Sequence, residues 1–142
     1  MTPNAHQAEF RLSLTVKPEG LHRIRRMVFA HLRLWRSTEL SDDALKIVTE
    51  LLSNVHKHAG GRAVLLLQVT RESLRITVSD RSEKMPVVRE PDWQATSGRG
   101  MLLISALSDE WRAVRTPTGK DVYVILVISR YRKDLMRGEL VG

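Results

Sequence analysis

ELLSNVHKHAGG, residues 50–61, begins as an apolar helix yet carries Glu50, Asn54 and His58 at four-residue spacing before two glycines stop it. At about 100° per residue, steps of four drift by only about 40°, so these three side chains share one ridge. Leu45, Val48, Leu52 and Val55 centre on a face about 120° away and are expected to pack against a sheet. The ridge then runs beside the core seam. Two readings are open: a solvated face ending in a histidine that suits a helix C-terminus, or the polar wall of a groove.

Working outward, Ser41 followed by Asp42 and Asp43 marks the start of this helix, because such residues satisfy free backbone N–H groups there. Gly60 or Gly61 ends it. Upstream, LHRIRRMVFAHLRLW (residues 21–35) sets Leu21, Ile24, Val28, Leu32 and Trp35 on one side of an amphipathic helix with an arginine-rich outer face. Before it, Phe10, Leu12, Leu14 and Val16 alternate as in a half-buried strand, broken by Pro18 and Gly20. Downstream, AVLLLQVT and SLRITVS form a hairpin about Arg71-Glu72. A polar stretch from Asp80 to Gly98 has no clear period and has the length of a lid or binding loop. The short helix RGMLLISALS follows, then the strands EWRAVRT and DVYVILVIS joined around PTGK. The order β-α-α-β-β-loop-α-β-β predicts a two-layer α/β (α+β) sandwich, a mixed, mostly antiparallel sheet with helices on one face. One domain over residues 10–128 is expected, with terminal extensions at 1–9 and 129–142.

Composition narrows the function. With 142 residues, 42% hydrophobic and 27% charged, the chain reads as one soluble globular domain. No apolar run reaches the roughly 20 residues that span a bilayer, and MTPNAHQAEF has no secretory pattern. A cytoplasmic protein with no membrane partner is expected. The absence of cysteine removes disulfides, thiolate zinc sites and thiol nucleophiles. The net charge of +7 invites a nucleic-acid reading, but the basic residues are spread along the chain and no nucleic-acid motif accompanies them. An acidic protein partner would be served equally well. His56 and His58 are two apart on a helix and make a poor metal pair, and Ser53 and Ser97 lack an evident His-Asp partnership.

Two later features bear on the polar ridge. Asp80 follows the alternating Leu74, Ile76 and Val78 at a strand end, and SGRGM places Gly98 and Gly100 at the mouth of a helix. Small residues there let a phosphate approach backbone N–H groups at the positive helix end. Separately each feature is weak. In combination, ELLSNVHKHA, the box SDRSEKMP, the glycines of GRGMLLI and the terminal TGKDVYVIL resemble the histidine-kinase and gyrase-type ATP-binding superfamily (the Bergerat-type fold). Within it they resemble the small bacterial anti-sigma serine/threonine kinases, over about residues 10–128.

The resemblance implies a role for each matching position. Asn54 would coordinate the Mg²⁺ that bridges the nucleotide phosphates, and Glu50 would orient or deprotonate the attacking hydroxyl. Asp80 would accept a hydrogen bond from the adenine amino group, while Gly98 and Gly100 would admit the phosphates. No firm role attaches to His58 or Lys120. Two residues beyond Asp80 the superfamily prefers glycine, where this chain has Ser82, a side chain expected to crowd the adenine or stiffen the loop; Pro86 keeps the closing proline. The implied function is an anti-sigma factor that uses ATP and Mg²⁺, sequesters a sigma factor and phosphorylates an anti-anti-sigma protein of STAS type. A homodimer is expected, and no specific nucleic acid. The alternatives are a non-catalytic anti-sigma module of the same fold and a basic nucleic-acid-binding protein.

Overall fold

The computed structural model describes residues 8–86 and 100–128. Its strands are β1 (Ala8–Thr15), β2 (Arg62–Val69), β3 (Ser73–Asp80), β4 (Glu110–Thr116) and β5 (Gly119–Val127). They form one sheet in the order β1-β2-β3-β5-β4, and all four pairings are antiparallel. The antiparallel character expected from the hairpins thus extends to every described pairing. The two-layer α+β architecture is as expected: α1 (Leu21–Leu34), α2 (Ser41–His58) and α3 (Gly100–Leu107) supply the second layer.

The alternation of each strand decides which face the helices cover. Leu65, Leu67, Leu74, Ile76, Val78, Val124 and Leu126 are buried together with Val28 and Leu32 of α1, Val48, Leu52 and Val55 of α2, and Ile104 of α3. Burying such side chains stabilises by about 1.5–3 kcal/mol each. The apolar face of α2 is wider than Leu45, Val48, Leu52 and Val55 alone, because Ala44, Ile47 and Leu51 are buried too.

Helix ends follow backbone chemistry. After α1, Ser37 N–H donates to the Leu32 carbonyl and Arg36 N–H to that of Arg33, with Arg36 at φ 56°. This is the hydrogen-bond pattern that closes many helices, with arginine where glycine is usual. At the end of α2, Gly60 and Gly61 take φ 73° and 85°, and Gly61 N–H donates to Val55. Only glycine enters that region at little cost. The second helix starts at Ser41 as expected, but not because Ser41 caps it. A 3-10 turn over Thr38–Leu40 leads into α2, so Ser41 is already helical, and its buried hydroxyl has no hydrogen-bond partner among the described residues. The entry to α2 depends on backbone continuity and on Asp42 and Asp43 in the first turn.

Candidate functional site

Glu50 and Asn54 are half-buried, whereas His58 is exposed, so the ridge divides. Its first two members face the start of α3. A Cβ on Gly100 would lie 2.6 Å from Glu50 Oε2 and 3.8 Å from Asn54 Oδ1. Glycine is therefore what lets α3 begin against these two side chains. Asn54 Nδ2 donates to Met101 Sδ at 3.6 Å, which turns Oδ1 away from the sulfur. Glu50 has no hydrogen bond or ion pair among the described residues. The arrangement offers one available carboxylate and one oriented amide oxygen at the mouth of a helix. Such hard oxygen donors suit Mg²⁺, which keeps several waters and takes few protein ligands. Among the described residues no group of three or more His, Asp or Glu could hold a metal without help, so an ion here would need ligands from a bound phosphate.

Asp80 is the last residue of β3 and faces the helices, in phase with Leu74, Ile76 and Val78. It pairs in register with Ala63 on one side and Lys120 on the other. Ala63 lies just beyond the Gly60-Gly61 turn, so Asp80 stands at the sheet end where α2 leads into β2. Lys120 Nζ lies 3.0 Å from both carboxylate oxygens, and the two side chains are only 8% and 4% exposed. A buried charge tolerates such a place only when paired. Lys120, which lies in TGKDVYVIL and to which the sequence attached no firm role, is thus the buried partner of Asp80.

Ser82 resolves as a loop-forming residue. Its N–H donates to Asp80 Oδ1 at 2.7 Å, and its hydroxyl accepts from Lys84 N–H at 3.1 Å. Its φ is not positive, so a side chain costs no backbone strain here. The bond to Asp80 comes from the backbone, and the side chain adds only the Lys84 contact, with the hydroxyl turned into its own loop. Gly98 lies outside the described residues.

A separate depression of about 480 Å³ is lined by Ser13, Arg62, Ser79, Asp80, Arg81 and Thr118. Its lining also takes in Leu14 and Ala63, so it wraps the sheet end from both faces, but it includes none of Glu50, Asn54 and Gly100 and is not the space beside them. No helix among the described residues is long and apolar enough to cross a membrane.

A comparison with curated proteins finds no matching relative. The family model described as "Histidine kinase-like ATPase domain" matches residues 14–126, which takes in every described element from the end of β1 to β5, with the site's Glu50, Asn54, Asp80 and Gly100 inside it. On that match, the chain belongs to the histidine kinase-like ATPase domain family.

Proposed function

We propose that this chain is an anti-sigma regulatory factor with Mg·ATP-dependent serine/threonine protein kinase activity, sequestering a sigma factor and phosphorylating an anti-anti-sigma protein of STAS type. The observation that carries the reading is the meeting of separate motifs: Gly100 stands against both Glu50 and Asn54. Bound Mg·ATP would supply an electrophilic phosphorus with neutralised charge. Catalysis of phosphoryl transfer rests mostly on positioning and electrostatics. Asn54 Oδ1 would hold the ion. The Glu50 carboxylate would take the proton as the substrate hydroxyl attacks, which its lack of competing partners among the described residues permits. Asp80 would accept from the adenine amino group through a remaining lone pair.

Partner docking is proposed on α1. Phe29 is 40% and Leu34 75% exposed, on a helix whose outer face bears Arg23, Arg25, Arg26 and Arg33. Leu34 lies about 140° round the helix from Phe29, but Phe29 has Arg25, Arg26 and Arg33 within one turn on its own face, and an exposed aromatic among arginines suits an acidic protein partner. The outer edge of β1, at the end of the strand order, suits pairing with a second copy. Proteins that co-purify from the host identify the partner, and a monomer by light scattering at micromolar concentration counts against the homodimer. A cytoplasmic location accompanies this proposal.

Calorimetry tests the nucleotide half. Wild type is expected to bind Mg·ATP, and Asp80→Asn to weaken binding about 5- to 150-fold, the effect of one hydrogen bond worth about 1–3 kcal/mol. Absence of both heat and thermal stabilisation at millimolar Mg·ATP would sink the proposal. Asn54→Ala is expected to reduce affinity more with Mg²⁺ than in EDTA, because it removes an ion ligand. Equal losses in both would make Asn54 a structural residue that fixes Met101.

The buried Asp80–Lys120 ion pair favours a second reading, in which the same fold regulates by sequestration without catalysis. The carboxylate assigned to adenine already has an internal partner, so the fold holds together without nucleotide. Radiolabel transfer from ATP to the protein substrate separates the two.

A further inference from the structure

An ionised carboxylate offers about four lone-pair positions, and an ammonium has three N–H donors. Lys120 Nζ engages both Oδ1 and Oδ2 of Asp80 at 3.0 Å, and Ser82 N–H takes a further position on Oδ1. What remains is acceptor capacity on Oδ2 beside one N–H of Lys120. Strand parity holds both groups in this relation. Lys120 is in phase with the buried Val122, Val124 and Leu126 of β5, and Asp80 with the core side chains of β3. Neither group makes a charged contact elsewhere among the described residues.

An edge complementary to this pair presents a donor next to an acceptor. Adenine does so, with the N6 amino group beside N1. We propose that Lys120 is a base-specificity residue, its ammonium donating to N1 of adenine while Asp80 Oδ2 accepts from N6. The inference rests on the ATP reading above and deepens it. Guanine presents an acceptor at O6 and a donor at N1 in the reversed order, with a further 2-amino donor, so it meets this pair only in another pose. A ligand that lacks N1 leaves a desolvated N–H of Lys120 unmatched, and sites built to hydrogen-bond a group reject analogues without it.

The test is calorimetry with Mg·ATP and with Mg·1-deaza-ATP, in which N1 is replaced by C–H. Wild type is expected to bind 1-deaza-ATP about 10- to 150-fold more weakly than ATP, the range for a hydrogen bond to a charged group. In Lys120→Met the two nucleotides are expected to bind within about twofold of each other, since no donor is left to tell them apart. A merely structural lysine would lower both affinities and leave their ratio unchanged, which would overturn the inference. Equal binding of the two by wild type, or tighter binding of GTP than of ATP, would also overturn it while leaving nucleotide binding intact. Binding of no nucleotide by wild type would overturn both the inference and the ATP reading. Should Lys120→Met fail to fold, the Asp80→Asn/Lys120→Met variant leaves no buried charge unpaired, and its ratio is read against that of Asp80→Asn.

Discussion

Asp80→Ala is expected to destabilise the fold by about 3–5 kcal/mol, because it removes one member of a buried ion pair and leaves the other. Lys120 is 6% exposed, and its ammonium would lose both carboxylate oxygens at once. Ser82 N–H would lose its acceptor as well, loosening the turn that Ser82 and Lys84 continue. Asparagine at the same position keeps Oδ1 as acceptor for Ser82 N–H and Lys120 but removes the charge and turns the Oδ2 acceptor into an NH2 donor, so its cost should be smaller than that of alanine. This difference is why Asp80→Asn, rather than Asp80→Ala, is the fair probe of nucleotide affinity. Urea unfolding measures both variants. A double-mutant cycle isolates the pair: Asp80→Ala with Lys120→Met should recover much of the loss, since neither charge is then stranded. The alternative is physical and specific. Lys120 stands near the sheet end, and its long stem could carry the ammonium out to water. A cost below about 1 kcal/mol for Asp80→Ala would mean that it does so.

That ion pair also marks where sequence reasoning ran out. Helix and strand periods carried most of the architecture, and β4 coincides with EWRAVRT because its flanking turns leave no alternative phase. Register between β3 and β5 did not follow, because those strands are separated in sequence by α3 and β4. Asp80 and Lys120 are 40 positions apart and meet only through that register. A signal was nevertheless present. Counting back in twos from Leu126 and Val124 puts Lys120 on the core side, and a core-facing lysine requires a partner. Ser41 failed differently. The residue type favours a helix cap, but the turn at Thr38–Leu40 had already set helical backbone before it. For the Glu50 ridge, periodicity gave the shared face without its environment. The start of α3 at Gly100 and Met101 meets Glu50 and Asn54, which are half-buried, whereas His58, on the same ridge, is exposed.

Glu50→Gln is expected to retain Mg·ATP and lose phosphate transfer about 10²- to 10⁴-fold, if the chain acts as a kinase. Glutamine has nearly the shape of glutamate but cannot take a proton, so a loss confined to turnover points to base chemistry rather than packing. The site supports this separation. Glu50 carries no structural hydrogen bond or ion pair among the described residues, so neutralising it strands no partner and the melting temperature should change little. Gly100→Ala supplies the complementary test. The new Cβ would stand 2.6 Å from Glu50 Oε2, and the contact is with the end of a flexible side chain rather than with backbone. The carboxylate would swing aside while alanine supports the helix at least as well as glycine does. A displaced base should therefore lower transfer with the carboxylate still present, since small misplacements of a reacting group are costly in rate. Single-turnover transfer of labelled phosphate to the protein substrate, with nucleotide affinity measured in parallel, reads both variants. Unchanged turnover in Glu50→Gln would remove this carboxylate from the chemistry. Loss in Gly100→Ala alone would then assign the helix mouth, and not Glu50, to the phosphates.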